Sequence, residues 1–203
     1  MTEFDPLKFW RDPEKAEVPE LERSVYACKP EYYLDLVNVS RLVVDVMTRY
    51  AQKDWSILEI GCGTGRNLVA LREAGFRFVA GIEVSRKAVA TGRKRWPKYK
   101  EILVEYGPAE KVIEDLEDFD VIFSQGALMH IPYESLLNAI ARKAQKLILT
   151  VEAELSRRPS IHVWRRDYRE MFEGLVWKQV EAESCEKYPP LPKHTIKRVF
   201  VRR

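Results

Sequence analysis

From residue 55 to residue 153, short apolar runs alternate with amphipathic segments. The runs are WSILEI (55–60), RFVAGIEV (77–84), EILVEY (101–106), FDVIFS (119–124) and KLILTVEA (146–153). The segments between them, near 66–74, 86–96, 110–117 and 133–144, read as helices. Parallel strands need such crossovers, and the crossovers are right-handed. The alternation therefore predicts a parallel sheet with helices on both faces.

The flanks extend this pattern. Leu36, Val39, Val43, Met47 and Tyr50 recur at helical spacing and predict a helix over about 31–51. After residue 160 come a further helix, about 165–173, and two strand-like runs, VWKQVEAESCEKY and IKRVFVRR. Only KYPPLPKHT lies between those runs. It is too short for a helical crossover, so the last two strands are expected to be antiparallel. At 203 residues the chain suits one domain, taken as 31–203. Residues 1–30 are an acidic, proline-punctuated arm carrying Phe4, Phe9 and Trp10.

Composition narrows the class. Hydrophobic residues are 46% of the chain, enough for a sizeable core. The 34 basic and 31 acidic residues nearly cancel, which excludes a surface basic all over, although residues 151–203 hold twelve basic against eight acidic. The longest stretch free of charged side chains, 121–133, is shorter than the roughly 20 residues of a membrane helix, so no membrane partner is expected. MTEFDPLKFW lacks the basic start and apolar run of a signal peptide. Cys28, Cys62 and Cys185 form neither a disulfide framework nor a metal spacing. The expectation is a reduced, cytoplasmic, metal-free protein.

Glycine is scarce, nine residues, yet Gly61, Gly63 and Gly65 fall within five positions between the first strand and the next helix. Glycines there allow a tight turn and the close approach of a ligand to backbone, at the strand edge where open α/β sheets bind ligands. A bare turn seldom needs three. A phosphate loop would place Lys-Ser or Lys-Thr after the last glycine, whereas Arg66 and Asn67 follow here. The spacing G-x-G-x-G also departs from the dinucleotide G-x-G-x-x-G. Glu83 ends the second strand, where a carboxylate can accept a hydrogen bond from each hydroxyl of a ribose.

EIGCGTGRN (59–67) resembles the first motif of the class I S-adenosylmethionine-dependent methyltransferases. The resemblance runs from about residue 31 to the end. It implies a seven-stranded, mostly parallel sheet in the order 3-2-1-4-5-7-6, strand 7 antiparallel, with S-adenosylmethionine as cofactor and S-adenosylhomocysteine as product. It assigns Glu83 to the ribose, with Val84 beside it. Glu59 fixes the loop and the methionine amino group, and the backbone of Gly61, Gly63 and Gly65 lines the methionine portion, with Cys62 and Asn67 in the same set. Family members often carry Gly-Asp-Ala after strand three; Gly107-Pro108-Ala109-Glu110 stands here. Pro108 has no side-chain acceptor for adenine, which leaves the Ala109 N–H, apolar contact, or Glu110 in its place. Glu110 equally fits a helix start favoured by the dipole. The Gln125 backbone is expected at the methionine end.

Methyl transfer needs a nucleophile held close to the methyl group, and a base if that nucleophile carries a proton. His130, just past strand four, is the candidate base, with helix packing as the alternative; His162 is the second. The chain lacks the Asn/Asp-Pro-Pro-aromatic motif of amino methylases of DNA, a Pro-Cys nucleophile, and carboxylates for magnesium at the end of strand four. The expected acceptor surface combines Trp10 and Tyr26 of the arm, as a lid, with Arg157, Arg158, His162 and Arg165 in SRRPSIHVWRRDYR. Packing of the aromatics on the core and solvation of the arginines are the plainer readings. A polar small-molecule acceptor, methylated on oxygen or nitrogen, is the leading expectation. An RNA or protein acceptor and a non-catalytic cofactor-binding subunit are the alternatives. A nicotinamide dehydrogenase is disfavoured because no tyrosine has a lysine four positions on.

Overall fold

The structure is a computed structural model describing residues 6–11, 30–154, 164, 166–189, 191 and 194–203. Seven strands, β1 (Ser56–Ile60), β2 (Phe78–Glu83), β3 (Leu103–Tyr106), β4 (Phe119–Gln125), β5 (Ala144–Ala153), β6 (Trp177–Ser184) and β7 (Thr195–Arg202), form one sheet in the order β3-β2-β1-β4-β5-β7-β6. β1 to β5 pair in parallel, and β7 runs antiparallel to both β5 and β6; the short connection before β7 required its antiparallel pairing with β6.

Side-chain alternation divides the core between the two faces of the sheet. Ile57, Val121, Phe123, Leu147 and Leu149 face one side, packed against α2 (Val37–Tyr50), α3 (Arg66–Glu73) and α4 (Arg86–Arg95). Leu58, Ile60, Ile122, Ile148 and Phe200 face the other, packed against α5 (Ala109–Asp115), α6 (Glu134–Lys143) and α7 (Tyr168–Glu173). A short helix, α1 (Pro6–Arg11), adds the fully buried Phe9. None of the described helices is long and apolar enough to cross a membrane.

Three boundaries differ from the sequence expectation. The helix over 31–51 is instead a 3-10 segment, Pro30–Asp35, followed by α2. Leu36 between them leaves helical geometry, at φ −80° and ψ 48°, and its carbonyl accepts from the Arg66 guanidinium, 2.5 Å. The helix near 165–173 starts at Tyr168 because the Asp167 carboxylate caps the amides of Arg169 and Glu170. β6 stops at Ser184, where the chain turns through the Tyr188 N–H to Cys185 carbonyl bond, 2.9 Å.

Candidate functional site

β1 lies between β2 and β4, so the connections after β1 and β4 leave the sheet toward opposite faces and open a crevice at the carboxyl edge. A cavity occupies that crevice. Its walls come from the loop after β1, the end of β2, the turn before α5, the segment after β4, and Leu7 and Trp10 of α1.

The glycine loop is built by two kinds of constraint. Gly63, at φ +55°, has open space where a Cβ would lie, and its amide donates to Glu83 Oε2 at 2.7 Å. Gly65, at φ +76°, faces the Tyr99 ring so closely that a Cβ would sit 2.1 Å from Cζ. Its amide bonds the Cys62 carbonyl and its carbonyl accepts from Val69, so both backbone groups are used within the loop and helix start. Gly65 therefore shapes the loop from behind and does not line the cavity, unlike Gly61, Cys62 and Gly63.

Behind the loop lies a buried polar network. Asn67 Nδ2 donates to Glu59 Oε1, 2.6 Å, and to Gln125 Oε1, 2.8 Å, while Asn67 Oδ1 accepts from Ser40 Oγ, 2.9 Å. Arg66 reaches Ser40 Oγ, 2.9 Å, and Gln125 Oε1, 3.0 Å. The network ties the starts of α2 and α3 to the ends of β1 and β4. Glu59 Oε2 is buried beside it with no hydrogen-bond partner, and so is Glu110 Oε2 at the far end of the cavity.

On the remaining wall, His130 closes a 3-10 turn, Leu128–His130, and its ring lies 4.6 Å from that of Trp10, centroid to centroid. Ile131, Pro132 and Tyr133 continue this wall. Of the other expected acceptor residues, Tyr26, Arg157, Arg158, His162 and Arg165 lie outside the described residues.

Comparison with known proteins agrees with this architecture. Residues 57–147 match the family model of a methyltransferase domain. Those residues match a methyltransferase domain, and the sheet order is that of the class I S-adenosylmethionine-dependent methyltransferase fold. The chain is 21% identical over 190 residues to a ribosomal protein L11 methyltransferase of Paraburkholderia phymatum, covering 91% of this chain and 61% of that protein. It is 25% identical over 132 residues to the protein of that name from Thermotoga maritima, covering 62% of this chain and 49% of that one. The chain thus spans about half to three-fifths of the length of the curated relatives it matches. The crystal structure of magnesium protoporphyrin IX methyltransferase from Synechocystis PCC 6803 with bound SAH shares the fold, with a TM-score of 0.68 at 13% identity over 97% of each chain.

The residues lining this cavity fit S-adenosylmethionine. The orphaned Glu59 oxygen suits the ammonium group of the methionine portion. Glu83 accepts from the amide of Gly63 on Oε2 and of Ser85 on Oε1, both at 2.7 Å, and at the end of β2 its carboxylate suits the ribose hydroxyls. The orphaned Glu110 oxygen suits the exocyclic amine of adenine, the group that Pro108 cannot meet. Val84, Ala109 and Gln125 also line the cavity.

Burial sets the electrostatics of these groups. It pushes the Glu59 carboxyl up to about 8, against the pull of Asn67 and Arg66 and with a further push from Glu83. It also raises Glu83, opposed by the amides of Ser85, Gly63 and Val84. It lowers the Arg66 guanidinium to about 10, against the pull of Glu59, and holds the Cys62 thiol well above its usual range. Cys62 is therefore a neutral wall residue and not a thiolate nucleophile.

Sequence reasoning missed the wall formed by Leu7, Tyr33, Ile131 and Tyr133, because apolar and aromatic residues outside a motif carry no local sign of which cavity they face. It treated Arg66 only as evidence against a phosphate loop. Glu152 was also missed, although a carboxylate inside the apolar run LILTVEA was a visible signal. Its side chain is fully buried.

Proposed function

We propose that this chain transfers the methyl group of S-adenosylmethionine to an oxygen or nitrogen of a small-molecule acceptor, with His130 taking the proton that the nucleophile releases. Bound in the crevice, the cofactor supplies a methyl carbon activated by its sulfonium. Glu59, Glu83 and Glu110 hold its ammonium, ribose and adenine groups, and the Gly61–Gly63 backbone lets it approach closely. The observation that carries the acceptor class is that Leu7 and Trp10 of α1 line the cavity, with the Trp10 ring against that of His130, which favours an acceptor small enough to fit among these side chains. Trp10 Nε1 is buried there without a partner, a donor available to a polar acceptor atom. His130 suits the base role because its imidazole lines the cavity on the segment after β4.

A protein acceptor is the second reading, favoured by the name of the relatives from Paraburkholderia phymatum and Thermotoga maritima. The test is incubation with methyl-labelled S-adenosylmethionine and a cell extract fractionated by size. Label in the small-molecule fraction is the expected result. Label confined to protein or RNA fractions overturns the small-molecule reading.

A further inference from the structure

Glu152 lies on β5 with no exposed surface, and its four recorded hydrogen bonds all come from neutral donors. Oε1 accepts from Ser124 Oγ at 2.8 Å and from the amides of Ala127 and Leu128, both at 3.2 Å. Oε2 accepts from the amide of Met129, 3.2 Å. Three consecutive backbone N–H groups thus converge on one carboxylate, and they begin the 3-10 turn that ends in His130. The same turn is held from its carbonyl side: Leu128 O accepts from Arg166 Nη1 at 2.7 Å, and Met129 O from the Trp164 amide at 2.8 Å. No ion pair to Glu152 occurs among the described residues. A buried charge without a countercharge is costly, and its offset here comes from donors that belong to the turn and to the adjacent β4.

We propose that Glu152 is a positioning residue, whose ionised carboxylate fixes the Leu128–His130 turn and so holds the His130 ring against Trp10 on the acceptor wall. That this placement serves methyl transfer rests on the base role proposed above for His130; the fixing of the turn does not.

Ionisation is the point of control. Burial pushes the Glu152 carboxyl up to about 7, opposed by Ser124 and the three amides. The groups facing it are Ser124 from β4, the turn amides, and Tyr168 from α7, with Arg166 and Glu154 acting on that same tyrosine. A protonated, neutral carboxyl is a weaker acceptor than the carboxylate, so protonation weakens all four of these bonds. The turn is therefore tight above about pH 7 and looser below it.

The test follows the backbone amide signals of Ala127, Leu128 and Met129 by NMR from about pH 4.5 to about pH 8.5. The expected result is a common titration step near 7 in all three, absent in Glu152→Gln. In that variant at high pH, exchange of the three amides accelerates by about tenfold or more. The ring-current displacement that Trp10 imposes on the His130 ring protons collapses. Glu152→Asp, which keeps the charge, restores a titration step. Amides that stay still across the range in the wild-type protein, or a step that persists in Glu152→Gln, overturn the proposal. So does a His130 ring signal unchanged in that variant. If Glu152→Gln does not fold, the wild-type titration together with Glu152→Asp decides. Full methyl transfer by His130→Ala would instead overturn the base role and leave these readings intact.

Discussion

The indole of Trp10 and the imidazole of His130 pack at 4.6 Å between ring centroids, with 48° between their planes. This contact joins α1, at the amino-terminal end of the chain, to the turn after β4. Replacing Trp10 by alanine removes one face of the imidazole's packing. Diethylpyrocarbonate modification of His130, followed by peptide mass spectrometry, is expected to run about threefold to tenfold faster in Trp10→Ala. Equal rates would mean that the two rings do not pack in solution.

Glu59 is expected to couple cofactor binding to pH. Its carboxyl is raised to about 8, while the ammonium of S-adenosylmethionine favours the ionised form. Binding at pH 7 should therefore release close to one proton, seen as a binding heat that changes between buffers of different ionisation enthalpy. Affinity should fall by about tenfold for each pH unit below the raised value. The sign for stability is opposite to that of an ion-paired carboxylate. The folded pKa exceeds the unfolded one, so this group's favourable contribution is full below the unfolded pKa and is lost as pH rises to about 8. Glu59→Gln should flatten the unliganded melting temperature across that window. A binding heat independent of buffer would count against this assignment.

Glu83 and Glu110 should differ in how much they contribute. Removing both ribose bonds in Glu83→Ala is expected to weaken S-adenosylmethionine binding by about 100-fold. Glu110→Ala removes a single bond to a neutral amine, and a loss of about fivefold to tenfold is expected. Isothermal titration with S-adenosylhomocysteine measures both. An unchanged affinity in Glu110→Ala would return that carboxylate to a helix-start role.

Gly63 and Gly65 separate conformational strain from steric conflict. Both have positive φ, but only Gly65 would drive a Cβ into the Tyr99 ring. Gly63→Ala should cost about 1–2 kcal/mol, the left-handed penalty alone. Gly65→Ala adds overpacking against a buried ring, for a total of about 2–5 kcal/mol. Urea denaturation of the two variants measures the difference, and equal midpoints would contradict this account of Gly65.

Much of the sheet was legible because each strand and crossover announces itself locally. WSILEI and FDVIFS are short apolar runs bounded by amphipathic segments, and KYPPLPKHT is too short for a helix, which made β7 antiparallel. The order of strands came from the family resemblance and not from periodicity. At the site, the glycine loop and Glu83 were legible because motif spacing fixes backbone shape. The helix break at Leu36 was not, because it depends on the Arg66 guanidinium arriving from another helix.

The sequence by itself determined the alternation of strands and helices, the crevice at the carboxyl edge, and the acidic and glycine residues placed there. These follow from periodicity, turn chemistry and spacing, which act over a few residues. Only the tertiary structure decided that Gly65 faces Tyr99, that Glu59 and Glu110 each keep one buried oxygen unpaired, and that Glu152 gathers the amides of the His130 turn. A buried polar atom takes its partners from whatever packing brings beside it, and those neighbours are distant in the chain.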